Sequence, residues 1–418
     1  MRLQSDTAFL GSLAKVPAGT YAVQVSLSSP EIVFFNDTAS TITAGSTSCA
    51  SGFVCVATLT ATGTPTIASF TVTVVASTNQ GIELDFNLAN AVSLSNGTLS
   101  VNFTPSLGVL TAFTLPRSNA NLSSGQLELI EDFTGVVSLN GSAVTLTSPT
   151  RGTLAATAVA GTNFDPDPTG THCPKPTTTL AACVSANQVA SMDAILNSDG
   201  TFSLREIEPL VSTQQDLVEG IVFAINSTTQ FGIIVTDKMQ AATGSLIGVL
   251  NTGDILNVNI PAATVKPFLV DTKGLVVSAS ALSLFQGQTD TSAIHHGQVV
   301  AIHVTTFTAA SGATTASATA DTVTLRWTRL IASLTGAAQS GQINVNNVPS
   351  YFGLTTSSIF PTQVFVGNLG ADGVTNLDGI SSAASLNTSL PVALRVLYLD
   401  NTTNSTQFPF QAAKIRQH

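Results

Sequence analysis

GVVSLNGSAVTLTS, residues 135–148, reads as a strand, a two-residue Asn140-Gly141 turn and a second strand. GIVFAINSTTQFGIIV, residues 220–235, aligns with it in kind, and IASLTGAAQSGQINV, residues 331–345, is a looser third copy. A short hairpin that returns three times in one chain marks a modular β protein.

Each copy is followed by a second hairpin. ANQVASMDAILNSDGTFSLREIE (186–208) parallels HGQVVAIHVTTF (296–307) with ADTVTLRWTRL (320–330), and then LPVALRVLYLD (390–400) with FPFQAAKIR (408–416). The shared plan is strand, turn, strand, a variable middle and a hairpin. Five or six strands per unit suit a small barrel or half-barrel, because closure removes exposed strand edges where charged gatekeepers are scarce. The expected organisation is all-β. Residues 1–131 form an N-terminal β-sandwich-like domain lacking its first strand, and 132–212 a small β module. Residues 213–330 form a second module with a long insert, and 331–418 a C-terminal one.

The first domain rests on VQVSLSSPEIVFF (23–35), VATLTATG, ASFTVTVVA and GIELDFNLA, all rich in β-branched residues. In FTVTVV, Phe70, Val72 and Val74 share one face, and Thr71 and Thr73 the other. Leu3, Phe9, Leu10 and Leu13 could make one short opening helix.

Composition agrees with strands. Of 418 residues, 9% are charged, against roughly 25% in ordinary soluble domains. The net charge is -10, and the 14 Lys and Arg form no run, so a nucleic-acid partner is excluded. Mean hydropathy is +0.36. No stretch approaches the roughly 18 apolar residues of a membrane-spanning helix, and four Tyr and Trp in all cannot build the girdles of a membrane β-barrel.

The four cysteines fall in two close pairs, Cys49 with Cys55 and Cys173 with Cys183, neither with metal-site spacing. Two local disulfides are the expectation, with free cysteines as the alternative, and disulfides suit an exported protein. The opening MRLQSDTAFLGSLAKVPAG has no apolar core, so an exported chain of this kind implies a leader absent from it. The nine Asn-x-Ser/Thr sequons, Asn36 and Asn226 among them, carry little weight in so Ser/Thr-rich a chain.

Candidate chemistry is thin. His296 and His303 are an odd number apart, so on a continuous strand they face opposite sides, and His172 reads as a loop residue. Asp165 and Asp167 in FDPDPTG, and Asp372, Asn376 and Asp378 in GADGVTNLDG, are oxygen-rich turns that could hold Ca²⁺; polar turns satisfying their own backbone are the better reading. Carboxylate pairs for glycoside hydrolysis could be drawn from Glu128, Glu131 and Asp132, or from Glu206 and Glu208, which share a strand face. Solvated strand faces explain them more simply. Arg326, Trp327 and Arg329 form the one compact cationic-aromatic spot. Alternation puts Arg326 and Thr328 on one side, Trp327 and Arg329 on the other, with Trp327 at an inter-module contact. No G-x-S-x-G, P-loop or H-E-x-x-H occurs. No catalytic, metal or cofactor residue is therefore assigned.

PAGTYAVQVSLSSPEIVFF with GIELDFNLANAVSL resembles the domain-of-unknown-function family 4382, a β domain of exported bacterial proteins. GQLELIEDFTGVVSLNG, VEGIVFAI, FLVDTKGL and GQVVAIHVT resemble the small β modules often joined to it. The combination is similar to secreted or lipid-anchored proteins of acidobacteria, and the resemblance implies no catalytic signature. The functional expectation is a non-enzymatic structural or adhesive protein that is extracellular, periplasmic or at the cell surface. Its partners would be cell-surface components, polysaccharide or copies of itself. The alternatives are a carbohydrate- or peptide-binding module protein and a self-assembling surface subunit.

Overall fold

The structure is a computed structural model. It describes residues 16–25, 30–60, 68–77, 81–103, 109–115, 126–261, 268–273, 275–337, 341–352, 362–366, 376–378, 383–399 and 410–417. The opening helix expected around Leu3–Leu13 lies outside these residues. The chain divides into two compact units, Met1–Leu129 with Ile195–Phe202, and Ile130–Ala194 with Ser203–His418.

The first unit is a β-sandwich-like set of short sheets, antiparallel except where β3 and β9 run parallel. Its strands are β1 (Gly19–Val25), β2 (Glu31–Phe35), β3 (Ile42–Ala44), β4 (Thr47–Cys49), β5 (Val54–Thr58), β6 (Ala68–Val74), β7 (Gly81–Phe86), β8 (Val92–Ser95), β9 (Thr98–Val101) and β10 (Leu110–Leu115). β1 pairs with β6, β2 with β5 and β7 with β10, while β4-β3-β9-β8 make a four-stranded sheet. A one-turn helix, α1 (Leu88–Ala91), starts where Asn87 accepts from the Asn90 amide at 3.2 Å. In β6 Val72 is buried while Thr71 and Thr73 are exposed, as the alternation requires. The core joins Ile42, Leu59, Val92, Leu99, Val101 and Phe103. Asn36 is fully buried, donating to the carbonyls of Ser40 and Cys49 at 2.8 and 2.9 Å. This sequon is therefore a structural turn.

Three copies of one barrel plan follow along the chain. The first is a closed barrel of β11 (Gln126–Asn140), β12 (Ala143–Ser148), β13 (Gly152–Phe164), β14 (Val189–Asn197) and β15 (Phe202–Val211), in the order β11-β12-β13-β15-β14. The second uses β16 (Leu217–Ser227), β17 (Gln230–Met239), β18 (Ile255–Asn259), β19 (Phe268–Val270), β20 (Val299–Thr308) and β21 (Ala316–Arg326). There β18 and β19 both run parallel to β21, doing as two strands what the bulged β13 does against β15 as one. The third repeats this with β22 (Thr328–Leu334), β23 (Gln342–Asn346), β24 (Thr362–Val366), β25 (Asn376–Asp378), β26 (Pro391–Tyr398) and β27 (Phe410–Gln417). The connectivity is a small five-stranded Greek-key ring, the class to which OB barrels belong.

The copies agree at single hydrogen bonds. Val137 receives the Asn187 amide on its carbonyl and donates to Gln188; Val222 does the same with Gly297 and Gln298. Asn187 and Gly297 both have positive φ, 68° and 89°, the turn geometry that Gly and Asn tolerate. The amides of Asp165 and Asp271 reach the carbonyls of Ile207 and Leu325 at 2.9 and 3.0 Å. The sequence repeat is thus a repeat of backbone geometry. Trp327 is buried in the core of the second barrel, in one cluster with Leu397 and Leu399 of the third. The cluster that contains Trp327 thus crosses from the second barrel to the third.

Candidate functional site

Only 9% of the chain is charged, and much of that charge is gathered in one place inside the second unit. Glu131, Asp132, Asp193, Glu206 and Glu208 come from the first barrel, and Glu219, Asp271, Lys273 and Arg326 from the second. Arg329, Arg395 and Lys414 come from the third. The first barrel contributes acids alone and the third bases alone, with both signs in the second. Attraction of opposite charge therefore sets which faces meet.

Asp132 is the centre. Its φ of 50° is rare for a non-glycine residue and bends β11 in mid-strand. The backbone groups released by this bend are satisfied locally. The Asp132 amide donates to Asp193 Oδ1 at 2.8 Å, and its carbonyl accepts from Arg151 Nη1 at 2.5 Å. Arg151 is held in turn over the Phe133 ring, 5.1 Å from its centroid. The Asp132 carboxylate is left to meet Arg329 Nη2 at 2.7 Å, Lys273 Nζ at 3.3 Å, and Arg395 Nη2. Burial alone would raise its pKa, but Arg395, Lys273 and Arg329 overturn that and hold it well below the usual carboxylate range.

Around this centre, Lys273 also reaches Glu206 at 3.1 Å and Glu208 at 3.6 Å. Arg326 binds Glu208 at 3.2 Å, Asp271 at 2.5 Å and Glu219 at 3.4 Å. Lys414 meets Glu131 at 2.6 Å, and Arg395 lies 3.7 Å from both Glu131 and Asp193. Seven carboxyls thus face five cations. The carboxyl excess falls on groups that favour a proton. Burial, with Asp271 alongside, pushes Glu208 well up. Burial and Glu206 raise Asp193, and burial raises Glu219. Conversely, Lys273, Lys414 and Arg395 outweigh burial at Glu206 and lower it.

This corrects one sequence expectation. Glu131, Asp132, Glu206 and Glu208 are not solvated strand faces; Glu208 is 0% exposed. Glu206 and Glu208 do share a face, and that face is covered by cations from the later barrels. The alternation drawn through Arg326–Arg329 also fails, because β21 ends at Arg326 and β22 begins at Thr328. Both arginines therefore reach the hub. The side chain of Glu128 lies outside the described residues.

Elsewhere the expected residues stay apart. His296 stacks on Tyr351 with centroids 6.4 Å apart, whereas His303 Nδ1 lies 2.6 Å from Asp321. Asp167 accepts from Thr169 Oγ1 at 2.6 Å and from the His172 amide at 2.7 Å, a turn satisfying itself. Asp165 is buried against Lys175. Asp372 and the side chains of Asn376 and Asp378 lie outside the described residues. Among the described residues, no group of three or more His, Cys, Asp or Glu could hold a metal ion. Both cysteine pairs are bonded, Cys49–Cys55 at 1.99 Å and Cys173–Cys183 at 2.02 Å. No helix among the described residues is long and apolar enough to cross a membrane.

A second joint links the later barrels without charge. Gln298 Nε2 donates to the Tyr398 carbonyl at 2.9 Å, and Tyr351 Oη to the Val222 carbonyl at 2.5 Å. A Cβ on Gly297 would stand 2.3 Å from the Phe352 ring, so the approach there requires glycine. An all-β protein of sandwich and small-barrel modules, disulfide-bonded, is the class these features define. No family model, curated protein or solved structure matches the chain.

Proposed function

We propose that the chain is an exported, non-enzymatic structural or adhesive protein of the cell surface or extracellular space. The observation that carries this reading is the charge hub. Its carboxyls meet cations supplied by neighbouring barrels, so acids that could serve in catalysis serve to hold three barrels in one body. Two disulfides closing short loops support an oxidising destination. The resemblance of the first domain to the exported family 4382 points the same way.

Binding of polysaccharide is the alternative, and the aromatic inventory weighs against it. A sugar cleft needs a cluster of exposed Trp or Tyr rings, yet Trp327 and Tyr398 are buried, Tyr351 is taken up in the second joint, and Tyr21 alone of these four is exposed. The deciding experiment is localisation in the native cell: antibody labelling of intact cells, followed by thiol counting on the labelled protein. Surface labelling with no titratable thiol is expected. A chain confined to the cytoplasm with four reactive thiols would overturn the proposal. Retention on a polysaccharide affinity matrix, displaced by free sugar, would favour the alternative.

A further inference from the structure

We propose that Lys175 and Asn163 are joined by an intramolecular isopeptide bond, with Asp165 relaying the proton. The three side chains form a closed triangle. Lys175 Nζ lies 2.9 Å from Asn163 Oδ1 and 3.2 Å from Asp165 Oδ1. Asn163 Nδ2 donates to both Asp165 oxygens, at 3.1 and 3.2 Å. One carboxyl therefore spans the amine that attacks and the nitrogen that leaves.

Each member is held by a different device. Asn163 sits near the end of β13, where its backbone pairs with Glu206. Asp165 is 1% exposed and fixed through its amide to the Ile207 carbonyl. Lys175 follows Cys173, whose bond to Cys183 anchors the loop. Such fixing turns a sluggish encounter of amine and amide into a unimolecular step. Burial, reinforced by Glu206 and opposed by Lys175 and Lys273, brings Asp165 up to about 8. A carboxyl in that range accepts and returns protons near neutrality.

The step balances without any co-reactant. Lys175 transfers its extra proton to Asp165 and, as the free amine, attacks Asn163 Cγ. The Cγ–Nζ bond forms, an amine proton passes through Asp165 to Nδ2, the Cγ–Nδ2 bond breaks, and the ammonia leaves as ammonium with the proton that Asp165 took from Lys175. A secondary amide remains, and Asp165 ends as it began. In the second barrel Leu269 stands at the register position of Asn163, and Lys273 is spent on the hub, so the triangle has no counterpart there.

The test is the intact mass of the purified full chain, denatured and with both disulfides reduced. The expected value is about 17 Da below the sequence mass, one ammonia lost. Proteolysis should give a branched peptide carrying both Asn163 and Lys175. Lys175→Arg keeps the charge but lacks the amine, and Asp165→Ala lacks the relay; both should return to the full sequence mass. The branched peptide from the unaltered chain decides the matter even if a variant fails to fold. The full sequence mass, with Asn163 and Lys175 in separate peptides, would overturn the proposal. So would an ammonia loss that persists in Lys175→Arg, which marks a cyclic imide at an asparagine.

Discussion

At Asp132 three cations converge on one carboxylate, so the consequence of removing any of them follows from what stays behind. Arg395→Met preserves bulk but withdraws charge from Asp132, Glu131 and Asp193 together. Breaking a buried pair costs about 3–5 kcal/mol. Asp132 keeps 25% of its side chain exposed, so screening trims the expected loss to about 2–4 kcal/mol in urea unfolding. Asp132→Asn should cost less in that background than in the unaltered chain, because one of its three cation partners is already gone. Strictly additive costs would deny the pairing. Asp165 gives a pH signature of opposite origin. Its folded value near 8 stands above the ordinary 3.8, so the folded chain keeps a proton that the unfolded chain sheds. Its contribution is complete below about pH 4 and is lost as pH rises through 8. Asp165→Asn should therefore flatten the fall in unfolding free energy across that window. An unchanged slope would place the proton elsewhere.

The barrel strands depend on two glycines at matching points of β11 and β16. A Cβ on Gly135 would stand 2.8 Å from the Thr147 amide nitrogen, and one on Gly220 2.6 Å from the Ile234 carbonyl oxygen. The first strand can coil over the second only where no side chain intervenes. Gly135→Ala and Gly220→Ala should each cost about 1–3 kcal/mol through overpacking. Gly336→Ala, with open space around it, should be near neutral in the same thermal melts. Equal shifts in all three would remove the steric argument. These hairpins were legible in the sequence because alternation and the Asn140-Gly141 turn are local signals. The hub was not, because its partners are remote: Asp132 and Arg395 are 263 positions apart. Each member, taken on its own strand, reads as an ordinary polar face. A usable signal did exist in the chain's scarcity of charge. Where so few charged residues occur, finding Glu206 and Glu208, Arg326, and Lys414 on the last strand of successive barrels is reason to look for a shared partner.

At the scale of the second unit, twelve ionisable side chains from three barrels meet at one hub, and this predicts how the unit comes apart. A barrel that unfolds strands the charges of the other two in a poorly solvated site, which raises their own free energy. The three barrels should therefore lose structure together, without the stepwise melting of a repeat array whose neighbours interact weakly. Hydrogen exchange on Arg395→Met reads this directly. The altered residue lies on β26 of the third barrel. Amides of β12 and β13 in the first barrel and of β16 and β17 in the second should nonetheless exchange faster by a similar factor. Added salt should matter little in the unaltered chain. Screening within about 3 Å at 1 M acts on solvated charge, and Arg326, Glu208 and Asp271 are all at most 5% exposed. Acceleration confined to β26 and β27 would mean that the barrels are independent bodies and that the hub only decorates their contact. Acceleration shared by all three would make the hub the element that turns a string of modules into one mechanical unit.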